Sequence, residues 1–187
     1  GREVAKACAA RGADVTLVHG LVGPHALAAS ADPADVHYAD LVAVESAAEM
    51  TAAVTDRAGD ADVLVSAAAI ADYTVAASEK KLRSGREDLA LALEPTAKLL
   101  DAVRDAHPAL DIVGFKAETA ADDDAVVDAA RALRDRVDCA FVVANDASVM
   151  GSADTRTLFV DADDVTEYRG PKAGLGARVA DEIASRR

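Results

Sequence analysis

The chain has 187 residues and a formal net charge of −13, from 33 acidic against 20 basic side chains. Hydrophobic residues make up 51% and aromatics 3%, so one sizeable core of Val, Leu, Ile and Ala is expected, and disorder over most of the length is excluded. No run of about 18 apolar residues and no extended basic face are present, so neither a membrane span nor a nucleic-acid partner is expected.

Residues 2–11 place Val4, Ala5, Cys8 and Ala9 at helical spacing, with Gly12 as a stop signal. "DVTLVHG" (14–20) reads as a short buried strand, 21–35 as a loop carrying Gly23, Pro24 and Pro33, and Leu41–Val44 as a second strand. Ser46-Ala-Ala-Glu49 is a capping box, in which hydroxyl and carboxylate each bind the other residue's amide, and it opens a helix to about Arg57. "DVLVSAA" (62–68) is a β-branched run of buried-strand length. "LALAL" (89–93) reads as another strand, and Thr96–Ala106 as a helix stopped before Pro108. "DIVGF" (111–115) is a strand. After a cap-like Thr119-Ala-Ala-Asp122, a helix aligns Val126, Ala130, Leu133 and Val137. "CAFVVAND" (139–146) is a strand ending in polar residues, 155–170 a hairpin turning at Asp161–Asp164, and roughly 172–186 the last helix.

Strands alternating with helices predict an α/β fold: a doubly wound, mostly parallel, Rossmann-like sheet covered on both faces, with a C-terminal hairpin and helix. No Pro/Gly/Ser-rich linker divides the chain, so 1–187 is expected to be a single domain. Such folds usually open with a strand and a glycine-rich turn before the first helix. This sequence starts inside that helix, which raises the expectation of an N-terminally truncated domain lacking its first strand. Ligands in these sheets sit beyond the carboxyl ends of the strands, which directs attention to Ala67–Asp72, Gly114–Thr119 and Asn145–Asp146.

GREVAKACAARGA at the start lacks the h-region of a signal peptide. Cys8 and Cys139 lie in apolar periodic segments and read as free buried thiols in a reducing cytoplasm. Six lysines against fourteen arginines, with the carboxylates spread along the chain, point to a surface kept soluble at high salt, as in a salt-adapted cytoplasm. The four histidines show no metal-ligand spacing.

Lys80, Lys81, Arg83 and Arg86 fall within one short loop of this acidic chain. A nucleoside triphosphate carries about four negative charges and needs such local cations, Lys as a mobile point charge and Arg as a fork. The same loop also reads as a solvated hairpin paired with Glu79, Glu87 and Asp88. Asp72, just past an apolar strand end, suits Mg²⁺, a ribose hydroxyl or a simple turn. Tyr73 as a dehydrogenase tyrosine would require Lys four residues on, where Ala77 stands. Asn145 and Asp146 read as site residues or as turn formers.

The succession "SAAAIADY … EKKLRSG … LALEPTAKLL … DIVGFKAET … VVANDAS" resembles the phosphopantothenoylcysteine synthetase family, and the resemblance covers nearly all of residues 1–187. It implies a cytoplasmic ligase in which the carboxylate of 4′-phosphopantothenate attacks the α-phosphate of CTP. Cysteine then displaces CMP from the acyl-cytidylate; eukaryotic relatives use ATP. Carried over by motif, Ser66, Ala67 and Ala68 would lie against the nucleotide, and Asp72 would bind it directly or through Mg²⁺. Lys81, with Lys80 as a possible substitute, would reach the triphosphate. Ile112, Val113, Gly114 and Phe115 would read the base through backbone groups, and Asn145 would form part of the pocket floor. Arg134 and Arg136 would stand approximately where the family has lysines. The resemblance also implies a homodimer and, in many members, an upstream flavin-dependent decarboxylase carrying FMN. The family's asparagine and glycine-rich segment would precede Gly1, which raises the expectation of a fragment that binds nucleotide without turnover. The alternatives from the residues alone are an NAD(P)-dependent reductase of the same fold class, here without Gly-x-Gly-x-x-Gly, and a non-catalytic nucleotide-binding module.

Overall fold

A computed structural model describes residues 1–28, 36–75, 90–119, 122–146 and 154–187. In chain order the elements are α1 (Arg2–Ala9), β1 (Thr16–His19), α2 (Pro24–Leu27), β2 (Asp40–Ala43), α3 (Ala47–Ala58), β3 (Val63–Ser66), β4 (Tyr73–Val75) and β5 (Leu93–Pro95). They continue with α4 (Leu99–Ala106), β6 (Asp111–Glu118), α5 (Asp123–Val137), β7 (Phe141–Asp146), β8 (Asp154–Val160), β9 (Val165–Pro171) and α6 (Lys172–Ser185).

The main sheet has the order β3-β6-β7-β8-β9, and β1-β2 and β4-β5 form two further pairs. β3, β6 and β7 are parallel, while β8 and β9 return as an antiparallel hairpin. This is the mostly parallel, Rossmann-like α/β architecture that the alternating pattern predicts.

Period-two alternation sorts the core onto two faces of the main sheet. Ile112, Val142, Ala144, Leu158 and Val160 pack under Leu99 and Val103 of α4 and Val126, Ala130 and Val137 of α5. Val113, Phe141, Val143 and Phe159 pack with Val4 of α1 and Val179 of α6. Phe141 and Phe159 stack with centroids 6.1 Å apart, and burying each such ring is worth about 1.5–3 kcal/mol. α1 and α6 approach so closely that a Cβ on Gly176 would collide with the Glu3 carbonyl.

Local chemistry explains the best-defined helix ends. The Glu49 amide donates to Ser46 Oγ (3.2 Å) and the Ser46 amide to Glu49 Oε2 (3.3 Å), so the expected capping box forms. Asp122 accepts from the Ala125 amide at 2.9 Å and starts α5, which ends at Asp138 in the left-handed region, φ 56°. Gly12, at φ +88°, follows α1 where only glycine adopts that backbone freely.

Several expectations are corrected. The 21–35 loop contains α2; residues 29–35 lie outside the described residues. Leu89 of the "LALAL" strand lies outside the described residues, and the strand observed is Leu93–Pro95, which among the described residues pairs only with β4, a strand the sequence did not signal. Leu91 and Leu93 are exposed there, so their apolar run does not mark a core strand. α4 begins three residues late, because the Thr96 amide donates to the Asp72 carbonyl (2.9 Å) and holds the lead-in extended. Cys139 is buried, and burial pushes its thiol up to about 11, whereas Cys8 is only half-buried. Among the described residues no helix is long and apolar enough to cross a membrane.

Candidate functional site

The site follows from two strands of unequal length. β3 stops at Ser66, paired with Gly114, while β6 runs on to Glu118 beside β7. Past Ser66 the chain swings away toward α4. The gap is a cleft of about 190 Å³, with Ser66, Ala68, Asp72, Lys98, Phe115 and Arg136 in its walls. Ser66 and Ala68 are small, which leaves room for a ligand to approach the backbone.

The backbone of β6 divides at this level. The Ile112 carbonyl accepts from the Ala140 amide on the β7 side (2.8 Å). By alternation, residues 113, 115 and 117 turn their amides and carbonyls toward β3. Val113 has Val65 opposite it, but the ladder ends at Ser66↔Gly114. The Phe115 amide still belongs to the Ser66 end of the ladder, so the Phe115 carbonyl and the Ala117 amide and carbonyl are the backbone groups directed beyond the end of β3.

Of the expected site residues, Ser66, Ala68, Asp72, Phe115 and Arg136 line this one cleft; the others lie elsewhere or outside the described residues. Ile112 and Val113 are 0% and 1% exposed and belong to the core. Gly114 is small for a packing reason: a Cβ there would meet Leu133 Cδ2 at 3.2 Å and Cys139 Sγ at 3.4 Å. Ala67 points to the other face, its Cβ lying 3.9 Å from where a Cβ on Gly1 would be. Asn145 pairs in register with Ala117 and is not among the residues of the cleft wall. Arg134 is two positions from Arg136, about 200° around the helix, and its guanidinium lies 3.3 Å from Asp135 on the far flank of α5. Lys80 and Lys81, with Arg83 and Arg86, lie outside the described residues.

Lys98 is the residue that sequence reasoning missed. Its Nζ donates to Asp72 Oδ1 at 2.6 Å, across the lip of the cleft. That hydrogen bond first, and the lysine charge second, hold the Asp72 carboxyl below the usual carboxylate range, and Lys116 adds to the effect. The available signal was positional. Lys98 is the N-cap residue of α4 and makes no side-chain cap, and a cation at the positive end of a helix dipole is unfavourable. On the opposite wall Arg136 pairs with Asp101. Thr96 Oγ1, in the same lining, is buried with no hydrogen-bond partner among the described residues.

The residues present do not fit a resident Mg²⁺. Asp72 is the candidate ligand, but an ammonium sits 2.6 Å from its Oδ1, and no group of three metal-binding side chains occurs among the described residues.

Comparison with known proteins places this geometry in a family. The model of the DNA/pantothenate metabolism flavoprotein C-terminal domain matches residues 1–186. The chain is 34% identical over 187 residues to the coenzyme A biosynthesis bifunctional protein CoaBC of Thermococcus kodakarensis, covering 98% of this chain and 44% of that protein. The chain thus spans less than half the length of that relative. A DNA/pantothenate metabolism flavoprotein from Streptococcus pneumoniae has the same fold, with a TM-score of 0.83 at 19% identity over 100% of this chain and 87% of that one. A mutant Cab2 in complex with phosphopantothenate-cysteine aligns with a TM-score of 0.64 at 19% identity, over 80% of this chain and 53% of that one.

Proposed function

Because the chain belongs to the family of the DNA/pantothenate metabolism flavoprotein C-terminal domain, we propose that it is the ligase part of a coenzyme A biosynthesis protein, joining 4′-phosphopantothenate to L-cysteine. The observation that carries this reading is the cleft at the carboxyl ends of β3 and β6, where this fold class binds nucleotides.

The first step activates a carboxylate. A carboxylate oxygen of 4′-phosphopantothenate attacks the α-phosphorus of CTP, the bond to the bridging oxygen breaks, and pyrophosphate leaves. The cysteine amine then attacks the acyl carbon and loses a proton as CMP departs, leaving the amide. Neither step needs a protein nucleophile; positioning and charge neutralisation suffice. Ser66 and Ala68 admit the nucleoside, the backbone beyond β3 at Phe115 and Ala117 meets its polar edge, and Arg136 adds charge at the opposite wall. Lys81, supported by Lys80, reaches the β- and γ-phosphates. Magnesium arrives on the triphosphate, as part of the substrate.

The wider protein on this reading is a cytoplasmic homodimer, fused in many relatives to an FMN-dependent decarboxylase, and the acidic surface suits a salt-adapted archaeal cytoplasm. Calorimetric titration with CTP, ATP and NADPH tests the proposal, since a true ligand also stabilises by mass action. CTP or ATP is expected to bind and raise the melting temperature. Binding of NADPH alone would overturn the ligase reading in favour of a reductase.

A further inference from the structure

We propose that Lys98 is a protein-borne substitute for a divalent cation at Asp72, and that its ammonium holds a phosphate oxygen of the nucleotide there. The inference rests on the reading of this cleft as a nucleotide site.

Three observations converge on the lysine. Its placement works against stability: it stands at the N-cap of α4 with no side-chain cap, where Ser, Thr, Asp or Asn would satisfy helix amides and a cation opposes the dipole. The ion pair contributes little to the fold either, because the side chains of Lys98 and Asp72 are 58% and 70% exposed. Both residues nevertheless face the cleft, and the Thr96 amide, which donates to the Asp72 carbonyl at 2.9 Å, fixes the two segments against each other.

The chemistry suits a bridging role. An ammonium has three donors, and the Asp72 contact at 2.6 Å uses one. Among the described residues the other two have no partner, so the lysine can join carboxylate to phosphate as a magnesium ion does elsewhere. Thr96, in the same wall, has a hydroxyl buried without a partner among the described residues; such groups are uncommon in folded proteins. The neighbouring cations are more committed: Arg136 is tied to Asp101, and Lys116 to Glu118 at 2.8 Å.

The test uses the 187-residue chain with CTP and MnCl₂ as probes. In wild type, chelating divalent ions with EDTA is expected to change CTP affinity less than threefold, and Mn²⁺ titrated without nucleotide should show no bound signal by electron paramagnetic resonance. Lys98→Met should weaken CTP at least tenfold with or without divalent ions, while its melting temperature stays near that of wild type. Lys98→Asp places two carboxylates together, so it should bind Mn²⁺ and recover CTP affinity only when Mn²⁺ is present. Unchanged CTP affinity in Lys98→Met overturns the proposal and leaves the nucleotide site standing. Mn²⁺ bound by wild type and lost in Asp72→Asn overturns it too. If wild type binds no CTP, the proposed function falls, and this inference with it.

Discussion

The two ends of α4 are each met by a long cationic side chain, Lys98 or Arg104, and use it in opposite ways. At the C-terminal end Arg104 donates to the carbonyls of Val137 (2.8 Å), Asp138 (2.9 Å), Pro108 (2.7 Å) and His107 (3.4 Å). It thereby satisfies the trailing carbonyls of α4 and α5 together, with the charge at the negative end of both dipoles. At the N-terminal end Lys98 faces a dipole of the wrong sign, makes one exposed contact and lines a cleft. A helix of eight residues thus separates a cation placed for stability from one placed against it. The second kind is the one that points to chemistry.

The contrast is broken most directly by Arg104→Met. Losing several charge-assisted bonds is expected to cost about 2–4 kcal/mol, read as a lowered midpoint in urea, with CTP affinity of the folded fraction unchanged. A loss below about 1 kcal/mol would mean that the carbonyls find other partners and that the two ends differ less than the geometry implies.

Gly114→Val is the next largest. The added atoms would press on Leu133, Cys139 and Val142, so about 1–3 kcal/mol of overpacking is expected. Destabilisation that precedes any effect on nucleotide would place Gly114 with the stability residues. Lost affinity at unchanged stability would move it to the cleft.

Salt separates the two cations without mutation. At molar KCl the Debye length is about 3 Å, which screens the exposed Lys98–Asp72 pair and the self-repulsion of a chain carrying −13. The melting temperature is expected to rise between dilute buffer and molar KCl, and a fall would contradict the reading of the acidic surface. The smallest effect is that of Lys98→Met on stability. It is expected to stay within about 0.5 kcal/mol of wild type, and a larger loss would make Lys98 structural.

Much of the fold was legible because short-range chemistry and long-range packing agree. Ser46 and Glu49 mark the start of α3, and the stripe Val126, Ala130, Leu133, Val137 marks the inner face of α5. β4 and β5 were not, since three-residue strands that, among the described residues, pair only with each other carry no burial pattern. In the site, the strand end at Ser66–Asp72 was legible and the roles around it less so. A small residue such as Gly114 does not reveal whether it makes room for a ligand or for a helix. Arg134 and Arg136 flank the same apolar stripe, and only the position of α4 decides which of them meets the cleft. Lys98 is not legible, because a lone lysine reads as surface charge until its place at a helix start is known.

The sheet ladder has a further consequence, for folding kinetics. β8 and β9 are joined by a tight turn, with the Asp161 amide donating to the Asp164 carbonyl at 2.9 Å, and such hairpins close in roughly 1–10 μs. β3 and β6, by contrast, are far apart in the chain, so their pairing waits on the closure of a long loop and is expected late. The cleft lies at the end of that late pair. A nucleotide bound there has little to hold in the transition state, so it should leave the folding rate nearly unchanged and act almost wholly by slowing unfolding.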